Sequence, residues 1–172
     1  MVNNYFIRMA LNNAWANSTL YGAVTPMADD AVWDSRPSFF GSIGRTLNHI
    51  YEVDLFYVDA LTRGGQGRSV FQRDDIRSMA ELGAAQSEVD MTLTMFCAKL
   101  DDESLAATVA TERKDETVEE RVDHLILHLV QHQVHHRGQV HAMLSHAGID
   151  PPQLDDFYLE FGRADSAQAY WG

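Results

Sequence analysis

Seven of the eight histidines in this chain fall between residues 124 and 146, and the eighth, His49, stands alone upstream. Within the cluster, His132 and His136 are four residues apart in Leu125-Ile-Leu-His-Leu-Val-Gln-His-Gln-Val-His-His-Arg-Gly-Gln-Val-His141. On a helix, an i, i+4 pair turns by about 40° and rises about 6 Å, so both imidazoles leave the same face and can close on one cation. One more ligand from another helix would complete a three-histidine face, and His49 is the candidate. Structural zinc sites fill four positions with protein atoms, whereas catalytic sites use three and keep one for water or substrate. The count therefore favours an open site. Zinc, nickel and ferrous iron all suit imidazole ligands.

The elements that must position these rings are long helical patterns separated by short breakers. The first runs from Asn3 to Val24 and spaces Phe6, Met9, Leu11, Ala14, Trp15 and Leu20 as one apolar face before Pro26 and Asp29-Asp30. A second is expected from Ser38, after Pro37, through Leu61, with Gly64-Gly-Gln-Gly67 as its stop. A third begins at the capping box Ser78-Met-Ala-Glu81 and ends near Leu100. A fourth is expected to open at a second box, Thr117-Val-Glu-Glu120. It carries Val118, Val122, Leu125 and Leu129 directly into His132 and His136, which places the pair on a core-facing row. Gly148 and Pro151-Pro152 end it, and a short further helix is expected over Asp155 to Phe161. Ala107 to Thr111 favours a short extended piece, but no set of strands is present. The fold class is all-α, and an up-down four-helix bundle with a short additional C-terminal helix buries these faces most simply. Residues 1–172 are expected to form one domain.

The remaining candidates are weaker. His128, one turn before His132, is read as supporting the ligands or lining their pocket, His124 as lying near the exposed helix start, and His135 as a surface or dimer-contact group. His141 and His146 suit the negative end of the helix dipole. Glu52 could orient an imidazole or relay a proton, although a solvent-facing helix acid is the commoner outcome. Arg137 reads as the partner of an acid, or alternatively as the holder of an anionic substrate, and Gly138 as permitting close helix approach. Cys97 reads as a small buried hydrophobe. The Gly64 to Gly67 run lacks the strand and Lys-Ser or Lys-Thr of a phosphate cradle and is expected to be a loop. No catalytic acid, base or nucleophile is assigned.

Composition bounds the partners. Twenty-five acidic residues against 13 basic ones give a formal net charge of −12, which repels phosphate backbones and anionic headgroups, so neither nucleic acid nor membrane is expected. Residues 101–120 hold eight of the acids. One cysteine excludes an intramolecular disulfide and a C-x-x-C motif and fits the cytoplasm. The start lacks a basic, then uninterrupted apolar, signal segment.

Leu11-Asn-Asn-Ala-Trp-Ala-Asn17, Leu47-Asn-His-Ile50 and His132-Gln-Val-His-His-Arg-Gly-Gln139 together resemble the DinB family of metal-dependent four-helix proteins over nearly the whole chain. The resemblance implies His49, His132 and His136 as the metal ligands and a homodimer formed through the helices. Gln131 departs from the family pattern, in which asparagine is common at that position. Transferases that use low-molecular-weight thiols occur in the wider fold group. Two function classes follow. One is a divalent-metal-dependent enzyme acting on a small molecule by thiol transfer to an electrophile or by metal-assisted hydrolysis. The other is a non-catalytic, stress-associated bundle in which the ion is structural.

Overall fold

The four apolar faces become four long helices in the computed structural model, which describes residues 3–171, with side chains from residue 5. Met1, Val2 and Gly172, the ends of the expected domain, lie outside the described residues. Helix α1 spans Asn3–Val24, α3 Ile43–Thr62, α4 Met79–Cys97 and α6 Val122–His146. Two one-turn helices, α2 (Asp29–Trp33) and α5 (Asp102–Ala106), sit in the connections. Helix α1 packs on α4 and α6, and α3 on α4 and α6. The structure is the all-α four-helix bundle expected, and no described helix is long and apolar enough to cross a membrane.

Each long helix contributes to two apolar clusters with a polar level between them. One cluster gathers Phe6, Val58, Leu93 and Leu129; the other gathers Leu20, Leu47, Leu82 and Leu144. Between them lie Asn13 and Asn17 of α1, Asp54 of α3, Gln86 and Asp90 of α4, and Gln133 and Arg137 of α6, all buried. Helices α1 and α6 enter at the first cluster and leave at the second, whereas α3 and α4 do the reverse. The bundle order is therefore up, down, down, up rather than the up-down alternation expected, because the long α3–α4 connection carries the chain back along the bundle. The segment 63–78 returns the chain between α3 and α4 and contains a 3-10 helix, Gly67–Gln72.

Four further sequence expectations are corrected. Helix α3 begins at Ile43 rather than Ser38, because Ser42 is the cap: its hydroxyl oxygen accepts the Arg45 N–H at 3.2 Å. Ser38 to Gly41 is a tight turn closed by Gly41 N–H to Ser38 O, and Gly41 takes the left-handed φ of 77° that such a turn requires. Thr117-Val-Glu-Glu120 is not a capping box, since strand β2 (Thr117–Arg121) pairs antiparallel with β1 (Thr108–Glu112). Val109 and Thr111 bury one face of β1, a stabilisation unavailable to a free helix end. Helix α6 therefore starts only at Val122. Asp155 to Phe161 is not helical; the C-terminal helix is a 3-10 turn, Asp165–Tyr170, where Ala167 and Phe157 pack on Trp15. Finally, a Cβ on Gly138 would meet nothing within 4 Å, so that glycine does not serve close helix packing.

Candidate metal centre

The second histidine of the i, i+4 pair is buried and the first half-buried, as a core-facing row requires. Helix α3 brings His49 against them. One ligand nitrogen from each of His49, His132 and His136 lies within 4.8 Å of the others, a group that could hold a metal ion. The Nε2 atoms of His49 and His132 are 3.0 Å apart. A tetrahedral ion with metal–nitrogen bonds near 2.1 Å separates its ligand atoms by about 3.4 Å, so the spread of the three nitrogens suits one cation. His136 Nδ1 lies 2.9 Å from Gln139 Oε1, a contact that assigns the proton to Nδ1 and leaves the Nε2 lone pair available.

Electrostatics favours the same state. Burial, then the neighbouring His136, lowers His49 to about 4. Burial, then His136, His49 and His128, lowers His132 to about 3. His136 is lowered by burial, partly offset by Gln139. All three rings are thus neutral near physiological pH, the protonation state a metal ligand needs. The buried Nδ1 of His132 has no described hydrogen-bond partner. With its Nε2 turned to the ligand cluster, that ring is the least satisfied by protein groups alone.

The polar level sets the rotation of α6. Arg137 Nη1 donates to Asn13 Oδ1, to Asn17 Oδ1 at 3.0 Å and to Gln133 Oε1 at 2.9 Å. Gln133 in turn donates to Asp54 Oδ2, which also accepts Gln86 at 2.8 Å. Asp90 accepts Asn13, Asn17 and Gln86. Gln133 and Arg137 each follow a candidate ligand by one residue, so bonds across the bundle core fix where His132 and His136 point. Arg137 is therefore committed to the interior, where burial lowers it to about 10 against the pull of Asp90 and Asp54.

The other candidates separate clearly. His128 is exposed, with its ring 5.1 Å from Tyr57 and 6.0 Å from His132, and lines a cleft of about 270 Å³ that reaches His132. Glu52 lies 3.6 Å from Arg73 and is raised chiefly by burial, so it serves that ion pair. His124 is exposed beside Asp123, and His135 is exposed with its ring edge against His136. Cys97 is fully buried, its thiol pushed up to about 12 by desolvation.

Phe40 escaped the sequence reading. Its ring stacks on His49 at 4.2 Å and lies 5.5 Å from His136, so it covers one side of the cluster. The signal was the Ser-Phe-Phe-Gly order: glycine at 41 makes a turn there, and a turn aims Phe40 differently from a helix. Asn48 was also missed. It accepts the Ile76 N–H at 2.8 Å and donates to the Ile76 carbonyl, tying the segment before α4 to the residue preceding His49. Two larger cavities, about 450 and 460 Å³, include none of the three clustered histidines among their lining residues. The smaller cleft beside His132 is the one that meets the chemistry.

Residues 1–166 match the family model described as DinB family. No curated protein matches the chain. Among solved structures, a DinB-like protein from Bacillus cereus ATCC 10987 has a similar fold, with a TM-score of 0.62 and 15% identity over 81% of this chain and 90% of that one.

Proposed function

We propose that this chain, which belongs to the DinB family, is a divalent-metal-dependent enzyme in which His49, His132 and His136 are the ligands. The observation that carries the reading is the joining of three neutral imidazoles to a cleft that reaches His132. Three protein ligands leave room for a further one, as catalytic sites do. A divalent ion there would supply Lewis acidity toward a thiol or water, so the reaction class is thiol transfer to an electrophile or metal-assisted hydrolysis of a small molecule. Zinc and nickel suit the donor set best, with ferrous iron also compatible. A low-molecular-weight thiol fits as co-substrate, and the protein would act as a cytoplasmic, single-domain homodimer. On the protein side, Gln139 holds the His136 tautomer, Phe40 shields the His49 ring, and the Arg137 network keeps both α6 ligands aimed.

The second reading, an ion that only staples the bundle, is favoured by the origin of the ligands on two helices, α3 and α6, which one ion would cross-link. Metal titration and elemental analysis of wild type and the single alanine variants at His49, His132 and His136 test the ligand set. Unchanged stoichiometry and affinity in each variant would refute it. Circular dichroism melts with and without chelator, run beside a screen of cytosolic thiols with small electrophiles and of ester and amide substrates, separate enzyme from staple. A stable apo-bundle with turnover only when loaded is the expected result, because the two apolar clusters remain buried without the ion. Collapse of the helices on chelation, with no turnover in any metal form, would sink the enzyme reading.

A further inference from the structure

The cleft beside His132 is walled by α3, α6, the 3-10 helix Gly67–Gln72 and the tip of the β-hairpin, and its chemistry departs from that of the chain as a whole. On a protein with 25 acidic and 13 basic residues, it collects two guanidinium groups, those of Arg68 and Arg113. The one carboxylate in its lining, Glu112, keeps its charge but is turned to the backbone at one edge: its Oε2 accepts the Arg68 backbone N–H at 2.9 Å, and it lies so close to Gly67 that a Cβ there would sit 2.5 Å from it. Arg113 is held by Glu120 and by Tyr57, whose hydroxyl oxygen lies 3.4 Å from Nη1. Among the described residues no carboxylate lies within ion-pair distance of the Arg68 guanidinium, which sits over the Phe71 ring at 5.9 Å. Phe56 packs on both Tyr57 and Phe71, giving the cleft an aromatic floor.

We propose that this cleft is the substrate site and takes a small organic anion, a carboxylate carried on an aromatic or flat apolar body. The Arg68 guanidinium beside an aromatic floor binds the charged end and the flat body of such a molecule at once, with Arg113, paired to Glu120, as a further donor at the rim. Its volume of about 270 Å³ is below that of sites for drug-sized ligands and fits a metabolite-sized acid. With the carboxylate at the arginines, the opposite end of the molecule faces His128 and His132, which is where the proposed chemistry takes place. The substrate class thus rests on the metal-site reading for its role, but the binding does not.

The test uses the zinc-loaded and the chelated full-length protein with benzoate, 3-phenylpropionate and indole-3-acetate as probes, each against its neutral amide, followed by calorimetry and by the shifts of the His128 and Tyr57 resonances. Saturable millimolar binding of at least one acid, not of its amide, is expected, surviving chelation and weakening about tenfold in Arg68→Gln and in Arg113→Gln. The Arg68 side chain is exposed and outside any ion pair among the described residues, so Arg68→Gln keeps the fold and decides alone if Arg113→Gln unfolds. Equal binding of acid and amide, binding unchanged in Arg68→Gln, binding that vanishes on chelation, or no binding of any acid would overturn the proposal. Metal content measured on the same samples separates the two readings: failure to take up zinc removes the metal assignment and leaves the anion result standing.

Discussion

Asp54→Asn removes a charge that the folded protein resists carrying. Asp54 is 2% exposed, and desolvation, then the neighbouring Asp90, raises it to about 8 against the donors Gln86 and Gln133 and the more distant Arg137. One of its oxygens accepts both glutamine amides, while the other has no described partner, and neither has the buried Gln86 Oε1. A protonated carboxyl can donate from that second oxygen, and an asparagine amide mimics it. For an acid with a raised folded value, the native state holds a proton that the unfolded chain has released. Its contribution is therefore fully present below the unfolded value near 3.9 and is lost as pH rises toward the folded value of about 8. Each pH unit in that window costs about 1.4 kcal/mol, so wild type should lose roughly 3 kcal/mol relative to Asp54→Asn between pH 5 and pH 7.

Urea melts of both proteins at half-unit steps from pH 5 to 8 measure this, because the histidine and surface contributions are common to both and cancel in the difference, which leaves Asp54 and its coupled neighbour Asp90, itself raised to about 6 by burial. The expected result is a variant near or below wild type at pH 5 and clearly more stable at pH 7, a substantial fraction of total domain stability. Parallel curves would refute the reasoning. They would mean that Asp54 is ionised in the native state and that the network stabilises the carboxylate.

Three further outcomes follow from the same geometry. Arg137→Ala strands the side-chain oxygens of Asn13, Asn17 and Gln133 in the core and should cost about 3–5 kcal/mol, or roughly 10 °C in Tm, while also weakening metal binding through loss of the α6 rotation; a loss below about 1 kcal/mol in thermal melts would contradict it. Cys97 should resist alkylation in the native protein and react on unfolding, since it is fully buried with its thiol pushed up to about 12, and rapid native labelling by iodoacetamide would show otherwise. With His49 lowered to about 4, His132 to about 3 and His136 also lowered, proton competition should set in below the ordinary histidine value rather than at it, and become steep only in stronger acid. An affinity that fell already through the ordinary histidine value near 6.5 in a metal titration would mean solvated rings.

The histidine cluster was legible because its signal is local. A four-residue spacing on a helix whose apolar row runs through Leu125 and Leu129 fixes both the pairing and the inward direction of His132 and His136. His49 was legible only as a type of residue on another helix, because nothing in the spacing says how α3 is rotated. The hairpin was hidden because Thr117-Val-Glu-Glu120 satisfies a helix-start pattern as well as a strand pattern, and pairing with Thr108–Glu112 decided it. The turn at Ser38 to Gly41 was hidden by the same ambiguity, since serine after proline suits both a cap and a turn. The polar level was the larger loss. Asn13, Asn17, Gln86 and Gln133 each look like a solvent-facing helix residue, and only their convergence makes them core.

That convergence bears on how the site keeps its shape. His132 and His136 are each followed by a residue anchored in the core, and His49 by a turn of α3 that ends near Asp54. The carboxyl of Asp54 accepts from Gln133, so α3 and α6 are joined one helix step away from where their histidines meet. A bundle held only by apolar contacts can slide or rotate at small cost, whereas directional bonds between buried partners permit one register. The polar level is unfavourable as packing, because well-packed apolar residues of similar volume can stabilise as much or more. Replacing Asn13, Asn17, Asp54, Gln86, Asp90, Gln133 and Arg137 together by apolar residues should then yield a bundle at least as stable but with the histidine nitrogens less precisely placed. Raised melting temperature with weakened zinc affinity is the expected pair of results, and unchanged zinc affinity would show that the ligand geometry does not depend on the network.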